Sequence, residues 1–257
     1  MAKPKALVLT GRGLNTDLEM KYAFERAGAE AERILTGDVL SGDADILNYQ
    51  IFVIPGGFLD GDDIASARVF ATQLRRIEDK LRKFIEGDRL VLGICNGFQA
   101  LVKSGLLPYA DFEQLVTLTY NASGKFEDRW VYLAVNERSP CVFTQGTTYL
   151  PVRHGEGMFY APDDILDRLE RENLVVARYV GRNGESSPPY PENPNGAMRA
   201  VAGICDPSGR VYGMMPHPEA YVHPFLHPRW TRMKAEGSLP REGDGMKIFR
   251  NAVEYFR

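Results

Sequence analysis

Apolar runs of strand length recur through the first hundred residues of the chain. Residues 6–10, 51–55 and 90–94 are short, almost unbroken apolar segments, which is typical of strands buried on both faces. Between residues 16 and 28 the apolar positions follow a helical spacing, and residues 31–35 are predicted to form the next strand. A β-α-β opening of this kind predicts an α/β fold with a parallel, doubly wound sheet.

Polar residues and glycines predict where the helices begin and end. Residues 16–19, Thr-Asp-Leu-Glu, have the form of a capping box, and Gly28 fits the position that follows the last helical turn. A long amphipathic helix is predicted over residues 66–86 and is closed by Gly87. The apolar stripe of a C-terminal helix is formed by Met246, Phe249, Val253 and Phe256.

The second half of the chain is richer in β-branched and aromatic residues, which favours antiparallel strands. The enrichment is found first in residues 113–152, where segments 130–135 and 141–143 are predicted to be strands. The elements predicted further on are a helix at 163–172, a strand at 174–179, a surface loop at 181–197 and a hairpin at 201–215. Because no linker-like composition separates the two halves, residues 1–257 are predicted to form a single domain.

Cys95 lies between two glycines at the junction of a predicted strand and a predicted helix. A side chain at such a turn is pushed out at the carboxyl edge of the sheet, which is the geometry of a nucleophile elbow. Gly93 and Gly97 allow close approach of strand and helix. The backbone N–H of Asn96 would point at the oxygen of a carbonyl that Cys95 attacks. The alternative is that Cys95 is a small buried apolar residue at a strand end.

A glycine-rich loop follows the strand predicted at residues 51–55. Residues 55–63, Pro-Gly-Gly-Phe-Leu-Asp-Gly-Asp-Asp, lie at the edge of the sheet where α/β proteins bind their ligands. Gly56 and Gly57 can bring a backbone N–H close to a substrate carbonyl and so supply the second donor of an oxyanion hole. The alternative is that the loop needs glycine only in order to turn.

His217 and Glu219 fit the base and orienter that a thiol nucleophile requires. The prolines on either side of His217 exclude a helix, and residues two apart in extended backbone point the same way. The carboxylate can then hold one ring nitrogen while the other faces a thiol. The alternative is a surface histidine with an unrelated glutamate. His154 is a candidate for the same pocket, whereas prolines interrupt His223 and His227, so no metal site is predicted there.

Composition excludes several classes of function. The 257 residues carry a net charge of −3 with acidic and basic residues interspersed, which argues against a nucleic-acid interface. No apolar run approaches the length of a membrane span. The 3 cysteines, Cys95, Cys141 and Cys205, show no metal-type spacing. We therefore expect neither a disulfide framework nor a zinc site, and a reducing, cytoplasmic location.

Six motifs occur in one order along nearly the whole chain. They are Pro-Gly-Gly-Phe at 55–58 with Gly-Asp at 61–62, Gly-Ile-Cys-Asn-Gly-Phe-Gln at 93–99, Ser-Gly-Lys-Phe-Glu-Asp-Arg-Trp at 123–130, His-Gly-Glu-Gly at 154–157, Asn-Pro-Asn-Gly at 193–196, and Gly-Met-Met-Pro-His-Pro-Glu at 213–219. Together they resemble the class I glutamine amidotransferases, and within that class the glutaminase component of phosphoribosylformylglycinamidine (FGAM) synthase. The resemblance implies a single flavodoxin-like, doubly wound, mostly parallel sheet flanked by helices, with an antiparallel strand extension.

The resemblance also implies an activity and a set of roles. L-Glutamine would be hydrolysed to glutamate and ammonia through a glutamyl thioester on Cys95, with His217 as base and Glu219 as its orienter. Gly57 and Asn96 would supply the oxyanion N–H groups. The residues expected to bind glutamine are Gly56, Phe58, Gln99, His154, Gly155 and Glu156.

A separate partner is part of the same expectation. No cofactor is expected in this chain, because ATP and Mg²⁺ would be used by a large synthetase subunit that consumes the ammonia in purine synthesis. Whether a small accessory subunit also belongs to the complex is left open. Residues 221–243 are longer than in many members and are expected to form a partner-facing insertion. Leu59 and Asp60 replace the Ser-Tyr pair usual in the family, and Ala220 follows Glu219 where arginine is common.

Three alternatives stay open at this point. The first is an amidotransferase that serves a different synthetase, the second is another cysteine hydrolase on the same architecture, and the third is a non-catalytic scaffold subunit. The identity of the substrate separates the first two from the prediction, and the intact Cys95, His217 and Glu219 argue against the third.

Overall fold

The computed structural model describes residues 3–144 and 148–257, so Met1, Ala2 and the part of the strand-rich stretch at 145–147 lie outside the described residues. The strands are β1 (Lys5–Thr10), β2 (Glu30–Leu35), β3 (Ile51–Ile54), β4 (Leu90–Ile94), β5 (Thr117–Tyr120), β6 (Glu127–Val135), β7 (Thr148–His154), β8 (Glu156–Tyr160), β9 (Val175–Val180), β10 (Val201–Cys205) and β11 (Val211–Met214). The helices are α1 (Asp17–Ala27), α2 (Thr36–Ser41), α3 (Arg68–Leu74), α4 (Glu78–Glu86), α5 (Asn96–Ser104), α6 (Asp163–Arg171), α7 (Trp230–Ala235) and α8 (Met246–Glu254).

Across the described residues, nine of these strands form one sheet in the order β2-β1-β3-β4-β11-β10-β9-β6-β7. Neighbours from β2 to β11 pair in parallel. Neighbours from β11 to β7 pair antiparallel, and β5 and β8 form a separate antiparallel pair. The prediction of a doubly wound sheet with an antiparallel extension is therefore confirmed.

Helices cover both faces of the parallel half of the sheet. The chain steps from β1 to β2 in one direction and from β3 to β4 in the other, so right-handed crossovers lie on opposite faces. On one face α1 packs against α8, where the rings of Phe24 and Phe249 meet edge to face with centroids 5.0 Å apart. On the other, α5 packs against α3 and the central strands. No helix in the described ranges is long and apolar enough to cross a membrane.

The parallel register brings the carboxyl ends of three strands to one edge of the sheet. Gly93 in β4 pairs with Ile54 in β3 and with Gly213 in β11. The chain therefore leaves these strands at neighbouring points. The glycine-rich loop follows β3, Cys95 follows β4 and His217 follows β11, at the edge where α/β sheets bind ligands.

Two of the predicted helix features are wrong, and a tertiary contact explains each. Thr16 makes no side-chain cap for α1; its hydroxyl accepts instead from the N–H of Gly56 at 3.0 Å. The helix predicted over residues 66–86 is divided into α3 and α4 by a 3-10 turn at Arg75–Ile77. There the Arg75 guanidinium donates to the carbonyl of Phe112.

The prediction of a strand at residues 141–143 is also wrong. These residues form a turn, and the N–H of Val142 donates to the carbonyl of Gly209 at 3.0 Å. The turn therefore packs against the β10–β11 hairpin instead of extending the sheet. An apolar composition at 141–143 serves burial here, since Phe143 is fully buried.

Residues 221–243 pack on the antiparallel end of the sheet. They include a 3-10 turn at Pro224–Leu226 and the helix α7. His227 lies among the rings of Trp130, Tyr149 and Tyr221, with centroid separations of 5.5 to 5.7 Å. Aromatic contacts therefore hold this segment against β6 and β7.

Replacing Gly97 by alanine should destabilise the fold. A Cβ at this position would lie 1.9 Å from the carbonyl oxygen of Ile54, a backbone atom that cannot rotate away. We expect Gly97→Ala to lower the free energy of unfolding by about 2 kcal/mol or more, measured by urea denaturation. Gly37→Ala is the control, because a Cβ there meets nothing within 4 Å. Equal midpoints for the two variants would contradict the packing argument.

Candidate active site

Cys95 joins β4 to α5 in a strained backbone conformation. Its φ and ψ are 51° and −105°, a positive-φ region that residues with side chains rarely adopt. Its N–H donates to the carbonyl of Met214 at 2.8 Å, and its carbonyl accepts from the N–H of Gln99 at 3.0 Å. The Sγ atom is left at the carboxyl edge of the sheet, 3.6 Å from the carbonyl oxygen of Arg153, and the residue as a whole is only 5% exposed.

The glycines that flank Cys95 are required by close packing. A Cβ at Gly93 would lie 2.5 Å from Leu101 Cδ1 and 2.7 Å from the carbonyl oxygen of Gly97. A Cβ at Gly97 would strike the backbone of β3 at Ile54. The sequence pattern Gly-x-Cys-x-Gly thus follows from a strand and a helix that nearly touch on either side of the thiol.

The side chain of Asn96 ties the elbow to the glycine-rich loop. Its Oδ1 accepts from the N–H of Leu59 at 2.8 Å. Its Nδ2 donates to Asp62 Oδ1 at 2.8 Å and to Gln99 Oε1 at 2.9 Å. The sequence predicted a role only for the backbone N–H of Asn96, and the side chain adds a second role in fixing the loop.

The glycine-rich loop is also held from the side of β1. The carbonyl of Gly56 accepts from the N–H of Asn15 at 3.1 Å, and the N–H of Phe58 donates to the carbonyl of Gly13 at 3.0 Å. These bonds fix Gly57, which lines the cavity in front of the thiol. The predicted oxyanion donors therefore lie on two segments that are fixed relative to each other.

His217 and Glu219 form a buried pair. His217 Nδ1 lies 2.5 Å from Glu219 Oε1, and the two side chains are 4% and 0% exposed. The N–H of His217 donates to the carbonyl of Pro151 at 2.8 Å, which anchors the segment to β7. His217 Nε2 is buried and has no hydrogen-bond partner among the described residues. The ring is thus held by one nitrogen, and the other is free for proton transfer.

The ring of His217 lies next to Cys95. A Cβ at Gly56 would lie 2.8 Å from His217 Cε1 and 3.5 Å from Cys95 Cβ, so Gly56 lies close to both side chains. Burial by itself lowers the pKa of His217, but the Glu219 carboxylate and the Cys95 sulfur raise it to about 10. His217 therefore keeps its proton at neutral pH, and a protonated imidazole stabilises a neighbouring thiolate.

His154 is buried in the same region but is neutral. Its Nδ1 lies 3.0 Å from Asn121 Oδ1, and its Nε2 has no partner in the part of the chain that is described. Burial, together with the charge of His217, lowers the pKa of His154 to about 3. Asn121 also receives the N–H of Gly157 at 2.9 Å and donates to the carbonyl of His154 at 2.7 Å.

A cavity of about 300 Å³ lies in front of the thiol. The predicted site residues that line it are Gly57, Phe58, Cys95, Gln99, His154, Gly155 and Glu156. His217 and Cys95 both line an adjoining pocket, and Gly56 and Glu219 lie next to the histidine ring. Asn96 does not line the cavity with its side chain. The structure thus brings the predicted residues to one edge of the sheet, in space that suits a small amino acid.

Gln99 shapes the wall of the cavity. Its Oε1 accepts from Asn96, and its Nε2 donates to the carbonyl of Glu156, so both polar ends are occupied. Glu156 in turn accepts from Ser66 through its carboxylate, at 2.8 Å from the hydroxyl. The side chain of Gln99 therefore links α5 to the start of β8.

Sequence reasoning missed two residues that support the site. Asp62 lines the cavity and accepts a hydrogen bond from Asn96 Nδ2; the Gly-Asp motif in which it stands was a signal that could have identified it. Asn121 holds His154 from 33 residues away, and no local pattern identifies it. A contact of this kind becomes visible only when β5 and β8 are paired.

The described residues contain no group of three or more His, Cys, Asp or Glu side chains that could hold a metal ion. His223 Nδ1 accepts from the N–H of Phe225 at 3.4 Å, and His227 is packed among aromatic rings. The two histidines therefore serve local packing in the segment 221–243.

A cysteine elbow beside a buried His–Glu pair, at the carboxyl edge of a doubly wound sheet, is the arrangement of a class I glutamine amidotransferase. Residues 3–256 match the family model of the CobB/CobQ-like glutamine amidotransferase domain. The chain is 48% identical to the phosphoribosylformylglycinamidine synthase subunit PurQ of Dehalococcoides mccartyi, over 100% of this chain and 99% of that one. It is 39% identical to PurQ of Methanococcus maripaludis, over 98% and 97% of the two chains. The chain belongs to the PurQ family of glutamine amidotransferases.

Solved structures agree with this assignment. A chain in the structure of PurLQS from Thermotoga maritima superposes with a TM-score of 0.73 at 30% identity, covering 100% of both chains. A glutamine amidotransferase from the same organism superposes with a TM-score of 0.52 at 15% identity, covering 99% and 92%. The second likeness concerns the fold alone.

Removing the charge of Glu219 should slow the reaction of Cys95 with iodoacetamide at pH 7. The raised pKa keeps His217 protonated, and its charge favours the reactive thiolate. Without the carboxylate the pKa of His217 falls, so less imidazolium remains beside the sulfur at neutral pH. An ordinary cysteine is only a few per cent thiolate at pH 7, so we expect His217→Ala to slow alkylation about tenfold or more and Glu219→Gln to slow it less.

Mass spectrometry of the peptide that contains Cys95 gives the alkylation rate without interference from the other cysteines. The matched control is Glu236→Gln, because Glu236 is exposed, and this variant should react like the unmodified chain. An equal loss in Glu219→Gln and His217→Ala would refute the orienting role of Glu219.

Proposed function

We propose that this chain is the glutaminase subunit of an FGAM synthase. It hydrolyses L-glutamine to glutamate and ammonia and delivers the ammonia to a separate ATP-dependent synthetase subunit in purine biosynthesis. The observation that carries the proposal is the thiol elbow facing the buried His217–Glu219 pair. End-to-end similarity to PurQ subunits and to a chain of the PurLQS assembly supports the same function.

The proposed reaction begins with attack of the Cys95 thiolate on the carboxamide carbon of glutamine. The N–H groups of Gly57 and Asn96 stabilise the oxyanion of the tetrahedral intermediate. His217 gives its proton to the leaving nitrogen, so that ammonia departs and a glutamyl thioester remains. His217 then takes a proton from water, the hydroxyl adds to the thioester carbonyl, and glutamate is released as the Cys95 thiolate and the protonated His217 are restored. Glu219 holds the ring in position through Nδ1.

The remaining proposed roles concern the residues that line the cavity and the segment that faces the partner subunit. We propose that Phe58, Gly155 and Glu156 contact the bound glutamine, while Gly56 and Gln99 shape its surroundings. His154 also faces this cavity as a neutral side chain. No cofactor acts in this chain; the synthetase subunit binds and uses ATP and Mg²⁺. Residues 221–243 face the partner, and the complex is cytoplasmic.

A glutamine-shaped electrophile should label Cys95 and no other cysteine. Cys141 and Cys205 are buried away from the cavity, whereas Cys95 lines it. We expect a diazoketone analogue of glutamine to modify the Cys95 peptide, as shown by mass spectrometry, and excess L-glutamine to protect it by about tenfold or more, as occupancy of a single site requires. Excess L-asparagine is the matched competitor and should not protect. Labelling without protection by glutamine would refute a glutamine site.

Replacing Cys95 should separate glutamine use from ammonia use. In the complex with the synthetase subunit, we expect Cys95→Ala to abolish amidine formation from glutamine and to retain it from added ammonium salt. The reason is that the thiol acts only in release of ammonia. Cys141→Ala, which also removes one buried thiol, should retain both activities. Loss of ammonia-dependent synthesis in Cys95→Ala would show that the residue supports assembly instead.

A further inference from the structure

Three charged side chains form a network behind one wall of the cavity. Lys103 Nζ lies 2.9 Å from Ser66 Oγ and 4.0 Å from Glu156 Oε2. Ser66 Oγ donates to the same Glu156 oxygen at 2.8 Å. Burial raises the pKa of Asp62, and the charges of this network also act on it, since Glu156 raises the pKa further and Lys103 lowers it. Two carboxylates and one ammonium thus share a poorly solvated region.

The charges in this network do not balance. Asp62 and Glu156 carry two negative charges and Lys103 carries one positive charge, which leaves one excess negative charge. Lys103 and Glu156 are 5% and 14% exposed, so solvent screens them weakly. Arg68 is also close to Lys103, but it is exposed and donates outward to Gln114 at 2.7 Å. Two further cations, Lys125 and Arg153, line the cavity, whose acidic lining residues are Asp62 and Glu156. At the wall that Asp62 and Glu156 form, two carboxylates beside one buried ammonium favour a cationic group of the ligand.

Each carboxylate keeps one oxygen free. Asp62 Oδ1 accepts from the N–H of Ala67 at 2.9 Å and from Asn96 Nδ2 at 2.8 Å. Glu156 uses Oε2 for its bonds to Ser66. Within the described residues, Asp62 Oδ2 and Glu156 Oε1 have no hydrogen-bond partner, and both residues line the cavity together with Cys95.

A buried acceptor in the same cavity also lacks a donor. His154 is 3% exposed and lines the cavity, and its Nε2 is unpartnered while Nδ1 is taken by Asn121. The ring is neutral, so Nε2 presents a lone pair whenever Nδ1 carries the proton. The cavity therefore offers unpaired acceptors of two kinds. They fit a ligand with N–H groups at both ends, one of them cationic.

We propose that Asp62 and Glu156 bind the α-ammonium group of the substrate, an inference that rests on the proposed glutaminase function. L-Glutamine carries three N–H donors and a positive charge on its α-nitrogen, which match the two free carboxylate oxygens and the excess negative charge. The carboxamide N–H groups, at the reacting end, match His154 Nε2. Asp62 and Glu156 thereby select amino acids over amides that lack the amino group.

The test compares two substrates in the assembled complex. One is L-glutamine, and the other is glutaramate, which has the same skeleton and carboxylate but no α-amino group. The variants are Asp62→Asn and Glu156→Gln, whose amide oxygens can keep the bonds to Ala67 and Ser66 while the charge is lost. We expect each to lower kcat/KM for L-glutamine by about 10- to 100-fold, mainly through KM, and to leave kcat/KM for glutaramate within about threefold.

The matched control is Asp63→Asn, an exposed carboxylate next to Asp62, which should change neither substrate. Equal losses of kcat/KM for L-glutamine and glutaramate would overturn the proposal, because a variant that merely folds poorly loses activity on both substrates alike. An unchanged preference for L-glutamine in both variants would overturn it as well, with the glutaminase function intact. Failure of the unmodified complex to hydrolyse L-glutamine would instead refute the proposed function, and the inference with it.

Discussion

The positive φ of Cys95 is the constraint on which the rest of the site depends. Backbone strain of this kind costs about 1–3 kcal/mol and persists only where the surroundings leave no alternative. Here the N–H of Cys95 extends the pairing of β4 through its bond to the carbonyl of Met214, and the carbonyl of Cys95 accepts the first hydrogen bond of α5. The contacts at Gly93 and Gly97 leave no room for the junction to relax. The thiol is therefore fixed at the edge of the sheet by packing that lies beneath it.

Asn96 extends this rigidity to the loop after β3. One side chain joins the elbow to the N–H of Leu59, to Asp62 and to Gln99, so residues 37 apart in sequence behave as one unit. The contact to residue 59 uses only its backbone. This explains why leucine can stand where the family usually has serine: the side chain at that position does not take part in the bond that holds the loop.

The parts of the structure that could be predicted are those with local causes. Buried strands, the glycines around Cys95 and the two-residue spacing of His217 and Glu219 are each set by neighbours in sequence. The errors come from contacts across the fold. Thr16 has a good local cap available but bonds to Gly56, 40 residues away, because the loop N–H would otherwise be buried without a partner. Asn121 was missed for the same reason, since only the pairing of β5 with β8 brings it to His154.

Two buried histidines on the same edge of the sheet have pKa values shifted in opposite directions. Burial lowers the pKa of both, and the difference is a carboxylate: Glu219 lies 2.5 Å from His217, whereas His154 has only the amide of Asn121. Once His217 is protonated, its charge opposes a second proton on His154. The site therefore holds one mobile proton at neutral pH, and the geometry assigns it to the ring beside the thiol. An amide in place of Glu219 would remove that distinction, which is why a carboxylate is needed behind one histidine and an amide behind the other.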